Sequence, residues 1–419
     1  MWCNDDPVKL LVLVSHFAPR FEGGSEIVAR AQARELAALG HDVRILAGCD
    51  TPHGGQDLET EVVDGLLVTF IPRLVGERYD LLLERPRVLE LVQSAAADAD
   101  IVHIHGWATL AGNMARALSD NHRVVLSLHD LFVTCPRFFR LPHPSVDACP
   151  ERGDVEPCVR CVQPDALGLG PEVLRAGLVQ RQQRFQGELD AASALVLPSL
   201  AQRERLASAV DLDPGRTHIV PHGLCRAMNR AGASAHWDGV GPLRVLHLGN
   251  LTAAKGVLEL ARAAASLSEV GCEIEVVFAG SAVEEGIEDH LRELGGGANL
   301  RFLGSFDGLN LAPRLARLGG CHLAVLPSRA YESYGLVVDE ALALGLPTWV
   351  SDRGAPLERI GAAGRVLPAE DSATLSENLL VAHRELDSLG KERAAVPVSV
   401  PDAARAAAQL EAIFLGLLA

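Results

Sequence analysis

The chain has 419 residues, with 38 Lys and Arg against 54 Asp and Glu and a formal net charge of −16. That length predicts two domains, and the acidic balance argues against a nucleic-acid binder, which needs a basic face, and against attraction to anionic lipid. Hydrophobic residues make up 48% and aromatics only 4%, so the expected core is Leu, Val, Ala and Ile, the composition of parallel sheets buried on both faces.

Short β-rich apolar runs alternate with Ala/Leu-rich helical stretches along the chain. The first half carries runs at 10–16, 43–47, 101–105, 124–129, 194–198 and 218–220. The second carries 243–249, 274–280, 300–304, 323–327, 348–351 and 365–367. This alternation predicts an α/β fold with βαβ crossovers and doubly wound parallel sheets, and two such series predict two Rossmann-like domains. The break falls near 225–241, giving domains over 1–228 and 240–400. A last helix over 401–419 starts behind Pro401 and could return to the first lobe. Residues from about 135 to 171, rich in Pro, Cys and charge, read as an insertion. No apolar run approaches the roughly 18 residues of a membrane span, and the first residues lack the pattern of a signal peptide. The expectation is a cytoplasmic protein with no transmembrane segment.

Ligands of open parallel sheets sit beyond the carboxyl ends of the strands, so chemistry is sought at the polar residues ending these runs. After the first run comes His16-Phe-Ala-Pro-Arg-Phe-Glu-Gly23-Gly24-Ser25-Glu26, then a helix with Val28, Ala31, Leu36 and Leu39 on one face and Gly40 as its stop. Two glycines at a helix start admit an anion to free N–H groups and a favourable dipole; a flexible turn is the alternative. The first run of the second series leads into His247-Leu-Gly249-Asn250-Leu-Thr-Ala-Ala-Lys255-Gly256. Lys255 could neutralise a diphosphate, or be a surface lysine at a helix start; the spacing is not that of a P-loop. A third stretch, Ser328 to Pro347, holds Glu332, Tyr334, Gly335 and Glu340. Gly335 suggests that a helix begins after Glu332, with Val337, Ala341 and Leu344 as its buried stripe. Both acids could then accept hydrogen bonds from ligand hydroxyls; two solvated acids are the alternative.

The run from Pro327 to Ser351 (Glu, seven residues, Glu, Ala, then Gly-Leu-Pro) resembles the signature of the large family 4 of retaining glycosyltransferases, which have the GT-B fold: two Rossmann-like domains facing a cleft. The Gly23-Gly24 loop with Glu26, Val102-His-Ile-His105, Leu128-His129-Asp130, Ile219-Val-Pro-His-Gly223 and Lys255-Gly256 follow in the expected order. The resemblance implies transfer of a sugar from a UDP- or GDP-linked donor, held by the second domain, to an acceptor bound by the first. It places Gly23 and Gly24 by the donor diphosphate, His129 near the donor sugar with Asp130 and His105 supporting it, and Lys255 on the diphosphate. Asn250, Gly256, Tyr334 and Gly335 join the donor site. Glu332 meets the transferred sugar and Glu340 the ribose, and Ser351 and Glu358 border the pocket. The family's usual Arg is here Asn250, leaving one diphosphate cation missing unless Arg329 or Arg353 compensates; its Pro-Asn-Gly is here Pro221-His222-Gly223. The resemblance implies retention and no catalytic metal; no residue stands out as a covalent nucleophile, which favours front-face attack with the leaving phosphate taking the acceptor's proton. Another GT-B enzyme, such as a nucleotide-sugar epimerase, or a non-catalytic nucleotide-sugar-binding subunit is the rival. A natural product, a polysaccharide or lipid-linked intermediate and a small metabolite all stay open as acceptor, gripped by loops near 74–86 and 136–171.

Cys135, Cys149, Cys158 and Cys161 lie in the insertion after His129-Asp130, and Cys158-Val-Arg-Cys161 is a C-x-x-C knuckle. Four thiolates can complete a structural zinc site; reduced thiols or a disulfide are the alternatives. His103 and His105 alternate on a strand and share a face, which favours cleft lining over metal. Asp98-Ala-Asp100 and Asp211-Leu-Asp213 match the short D-x-D pattern and read as solvated acids.

Overall fold

The computed structural model describes residues 6–49, 58–72, 81–137, 140–142, 149, 155–165 and 168–419. The chain divides into two compact units. The first runs to Cys225 and takes in Asp402–Ala419; the second is Arg226–Pro401.

The first unit is built on β1 (Lys9–Val14), β2 (Asp42–Cys49), β3 (Glu59–Val63), β4 (Leu66–Pro72), β5 (Ile101–Ile104), β6 (Arg123–Ser127), β7 (Ala194–Leu197) and β8 (Thr217–Ile219). Their order in the sheet is β3-β4-β2-β1-β5-β6-β7-β8. The inner strands are continuous apolar runs because helices cover both faces: every residue of β5 and β7 is buried. The β3–β4 pair is antiparallel, an edge hairpin that departs from the expected all-parallel sheet. Its turn, Asp64-Gly65, has positive φ at both residues (52° and 81°). This is the twist that matches a two-residue hairpin to its strands.

Helix Gly24–Ala38 buries Val28, Ala31 and Leu36 as expected. Leu39, read as part of that face, is instead the C-cap and 48% exposed. The helix stops at Gly40, whose φ of 102° suits only a residue without Cβ. The last helix, Ala403–Leu418, is N-capped by the Asp402 side chain and buries Ala406, Ala407, Leu410 and Phe414 at helical spacing. Those four join Val12, Ile45, Val68 and Phe70 in one core.

The second unit holds β9 (Leu243–Leu248), β10 (Ile274–Ala279), β11 (Asn299–Gly304), β12 (Leu323–Leu326), β13 (Thr348–Ser351) and β14 (Val366–Leu367). All pairs are parallel, in the order β11-β10-β9-β12-β13-β14. Helix Val257–Glu269 packs on one side of the sheet through Leu260, Ala264 and Leu267. Helix Leu336–Ala343 packs on the other through Val338, Ala341 and Leu342.

Each sheet has one place where the strand order reverses: β1/β5 in the first, β9/β12 in the second. Crossovers leave in opposite directions there, opening a crevice beyond the strand ends where such folds bind ligands. The segments leaving these four strands carry Gly23-Gly24, His105, Lys255 and Glu332, while His129-Asp130 follows β6 and His222 follows β8.

Candidate active site

In the second unit, β9 ends at Leu248 and is followed by Gly249 and the exposed Asn250. A short turn, Ala253–Lys255, closes on Gly256. Gly256 has φ of 72°, and a Cβ there would lie 1.8 Å from the Pro327 carbonyl oxygen. The two loops also share backbone hydrogen bonds, from Arg329 and Ala330 N–H to the Ala254 carbonyl at 2.9 and 3.0 Å. This close approach carries Lys255 to Glu332: Nζ stands 2.5 Å from Oε1. The Ser328 hydroxyl donates to the same oxygen at 2.8 Å. Burial pushes the Glu332 carboxyl up, but the Lys255 charge and the bonds from Lys255 and Ser328 outweigh it and hold it below the ordinary carboxylate range.

The backbone around Glu332 is fixed as well. Its carbonyl accepts from Ala355 N–H at 2.9 Å, and a Cβ on Gly354 would sit 2.2 Å from that carbonyl oxygen. Ser351, buried at the end of β13, donates to the Ser328 carbonyl at 2.5 Å. Beneath them His247 is buried, its Nδ1 bonded to the Val325 carbonyl at 3.1 Å. Burial lowers its pKa to about 4, so at neutral pH the ring is uncharged and Nδ1 carries the proton.

Glu340 lies in helix Leu336–Ala343, whose N-cap Gly335 has φ of 77°. It is 3% exposed, not the solvated acid that was the alternative. Oε1 forms an ion pair with Arg226 Nε at 2.8 Å, while Oε2 is buried with no hydrogen-bond partner among the described residues. Burial, with Asp339 beside it, raises this carboxyl against the opposing pull of Arg226. The Tyr334 hydroxyl donates to Asp339 Oδ2 at 2.7 Å. Arg359 stacks 3.8 Å from the Tyr334 ring centre and donates to Asp339 Oδ1 at 3.0 Å. Tyr334 thus braces the helix start, and Glu358, next to Arg359, is exposed. Val337, expected in the buried stripe, is only partly buried; Val338 takes that place.

In the first unit a cavity of about 270 Å³ opens over β1, β5 and β6, bordered by His16, Gly23, Gly24, Glu26, Trp107 and Asp130 among others. Gly23 is the extended N-cap of helix Gly24–Ala38. A Cβ on it would stand 2.6 Å from Glu26 Oε2, so glycine lets this carboxyl fold back over the helix start. Asp130 accepts from Phe132 N–H at 2.8 Å; burial raises its pKa to about 6, and the Glu26 charge adds to the rise.

Four imidazoles line up beside the cavity. His103 Nε2 meets Ser127 Oγ at 2.8 Å, His103 Nδ1 meets His105 Nε2 at 3.2 Å, and His105 Nδ1 meets His129 Nε2 at 2.8 Å. His129 Nδ1 in turn faces His222 Nε2 at 3.4 Å. Burial drops His103 to about 3 and His129 to about 4, and holds His105 well below the ordinary value. Neutral imidazoles in such a row must share one tautomer, since each ring donates from one nitrogen and accepts at the other. His129 is therefore oriented from both sides.

Cys135, Cys149, Cys158 and Cys161 are free thiols. Burial pushes the Cys158 thiol up to about 11, helped by the nearby thiols of the other three. The four gather in one region, yet among the described residues no three His, Cys, Asp or Glu side chains form a group able to hold a metal. Much of 136–171 and of 74–86, the loops expected to grip an acceptor, lies outside the described residues.

Residues 22–225 match the family model Glycosyltransferase Family 4, and residues 239–382 match Glycosyl transferases group 1. The chain is a glycosyltransferase of the GT-B fold. This glycosyltransferase is 32% identical to the phosphatidyl-myo-inositol mannosyltransferase of Mycobacterium leprae over 130 residues, which are 30% of this chain and 33% of that protein. Among solved structures, sucrose-phosphate synthase from Thermosynechococcus elongatus superposes with a TM-score of 0.68 at 19% identity, covering 98% of this chain and 99% of that one. The catalytic domain of starch synthase IV from Arabidopsis thaliana, bound to ADP and acarbose, gives 0.64 at 16% identity, covering 99% and 100%. Likenesses at such identities speak for the fold alone.

Several residues of the transferase's two half-sites escape sequence reasoning. Arg226, the partner of Glu340, lies in a polar stretch read as a domain boundary. Asp339 and Arg359 are ordinary helix residues until they meet Tyr334. His222 carried a signal, a histidine where the motif has asparagine, but its place at the end of an imidazole row depends on three other segments. Among the described residues no helix is long and apolar enough to cross a membrane.

Proposed function

We propose that this enzyme transfers a hexose, with retention of configuration, from a UDP- or GDP-linked donor held by its second unit to an acceptor hydroxyl held by its first. The observation that carries the reading is the Lys255–Glu332–Ser328 cluster at the β9/β12 switch point, with the buried oxygen of Glu340 beside the next helix start. The cation suits a diphosphate, and the carboxylates suit sugar and ribose hydroxyls.

When the bond from the anomeric carbon to the phosphate oxygen breaks, its electron pair stays on the diphosphate. Lys255 stabilises that charge with the backbone N–H group at Gly256, while Asn250 contributes a neutral donor. The acceptor oxygen forms the new bond to the anomeric carbon on the face the diphosphate leaves, and its proton passes to a phosphate oxygen. Glu332 aligns the transferred sugar, and in the first unit His129 is oriented by its imidazole row. No step needs a metal. A cytoplasmic place of work belongs to the same reading, supported by the free thiols. Structural zinc on Cys135, Cys149, Cys158 and Cys161 is a separate proposal, supported by their spacing in the sequence.

A calorimetric screen of nucleoside diphosphates and their sugars against the full chain and Lys255→Ala tests the donor assignment. One nucleotide should bind at micromolar strength and lose at least about tenfold in the variant; equal binding to both proteins removes Lys255 from the donor site. The non-catalytic alternative draws on Asn250, exposed where the family's second cation stands. Donor binding with neither transfer nor hydrolysis across a wide acceptor panel would favour it.

A further inference from the structure

Arg226 is the first residue of the second unit, and the packing just behind it fixes where it stands. Gly308 opens helix Gly308–Ala316. A Cβ there would collide with the Ala227 carbonyl oxygen and lie 2.6 Å from Met228 Sδ. The missing side chain lets residues 227 and 228 settle on the helix start, where the Asn229 N–H donates to the Gly308 carbonyl at 3.4 Å. The guanidinium of Arg226 is thereby held beside the segment leaving β11, its central carbon 5.6 Å from the Phe306 ring centre, and against Glu340.

The contact with Glu340 is a meeting of charges without a hydrogen bond. Arg226 Nε stands 2.8 Å from Glu340 Oε1. Yet Nε is buried with no hydrogen-bond partner among the described residues, and so is Glu340 Oε2. One unpaired donor and one unpaired acceptor therefore lie within a carboxylate's width of each other, in covered positions where such atoms are ordinarily satisfied. The buried Glu188, by contrast, accepts from three N–H groups. A single hydroxyl satisfies both atoms, because it donates through its hydrogen and accepts at its lone pairs. The Arg226 side chain is 30% exposed against 4% for Glu340. The guanidinium is thus the group that turns aside to admit the hydroxyl, and the carboxylate is the group that receives it.

We propose that Arg226 is a specificity residue of the donor site: with Glu340 it clamps one hydroxyl of the donor's ribose, which accepts from the guanidinium and donates to the carboxylate. The clamp rests on the donor reading given above and adds to it a residue that lies outside the sequence motifs. A site built to bond a hydroxyl strands its own buried groups when the hydroxyl is missing, and rejects the analogue that lacks it. The donor site therefore tells a ribonucleotide from the deoxy form without that hydroxyl.

The test uses the full chain and calorimetry with UDP and GDP, each beside its 2′-deoxy and 3′-deoxy forms. The ribonucleotide should bind at least about tenfold more tightly than one of its two deoxy forms. In Arg226→Ala that ratio should fall to about threefold or less. In Arg226→Lys, which keeps a charge beside Glu340 but has no Nε–H, it should stay equally low. A residue that only steadies the fold would weaken ribose and deoxy forms alike and leave their ratio untouched. Thermal melting shows which variants are folded; where Arg226→Ala is not, the ratio in Arg226→Lys decides. Deoxy forms that both bind the parent as tightly as the ribonucleotide overturn the proposal. So does a ratio that Arg226→Ala leaves unchanged, or one that Arg226→Lys retains in full. Ribonucleotide binding that depends on Lys255, measured in the same series, keeps the donor reading standing when the clamp falls, whereas absence of binding by both nucleotides removes the two together.

Discussion

Replacing Lys255 by alanine removes the charge from the donor half-site. The ammonium stands 2.5 Å from Glu332 Oε1, with side-chain exposures of 35% and 15%. A preorganised donor aimed at a developing oxyanion contributes about 2.7–4 kcal/mol when fully shielded. Because about a third of the lysine is open to water, its share is discounted to about 2–3 kcal/mol, and at 1.36 kcal/mol per decade this is a loss of about 30–150-fold in kcat/KM. A second signature separates this from a folding defect. Without Lys255 the upward push of burial is less opposed, and the Glu332 carboxyl moves up, with the Ser328 bond and the Arg359 charge still holding against it. The acid limb of the pH–rate profile should move to higher pH in Lys255→Ala and stay nearer the parent in Lys255→Arg. Release of nucleoside diphosphate, followed continuously with the best donor and acceptor, measures both effects. Turnover within about threefold of the parent, with an unmoved acid limb, refutes the reasoning.

Gly256→Ala puts a methyl group 1.8 Å from the Pro327 oxygen at φ of 72°; it should destabilise the second unit by about 2 kcal/mol or more, read as a drop in its melting temperature, and an unchanged melt would show that the loops move apart cheaply. Glu340→Ala should weaken nucleotide binding by roughly tenfold while altering turnover at saturating donor much less; calorimetry showing parental affinity contradicts its role. The imidazole row makes stability depend on pH. His103 and His129 titrate near 3 and 4 when folded against 6.5 as the reference, so the unfolded chain takes up protons first. Stability is then complete above about pH 7 and falls as pH drops through 6.5 towards 4, at about 1.4 kcal/mol per pH unit for each fully responding histidine. Chemical denaturation at pH 7 and 5 should show a smaller loss for His103→Gln than for the parent; equal losses would exclude the row as the cause. Protein purified without chelator or affinity tag should carry about one zinc per chain if the four cysteines close on a metal, and under a tenth of an equivalent by elemental analysis ends that proposal.

Much of this architecture is legible in one dimension. Strand–helix alternation is written in local periodicity, so both series of strands and the glycine stops could be read without contacts. The β3–β4 hairpin is legible too, because Asp64-Gly65 between alternating apolar residues is a local turn signal. Lys255, Glu332 and Glu340 stood out through motif spacing, but spacing could not say that the first two pair at 2.5 Å or that Glu340 is buried against Arg226.

The sequence alone determined which segments become strands and helices, and which polar residues end them, since these follow from side-chain pattern over a few neighbours. Only the tertiary structure decided who meets whom. The order of the strands puts β1 beside β5 and β9 beside β12, and from that come the imidazole row, the cation–carboxylate pair and the acidic cavity. Their energies depend on distance and burial between segments up to 119 positions apart, from His103 to His222 in the row, and no local pattern encodes such distances.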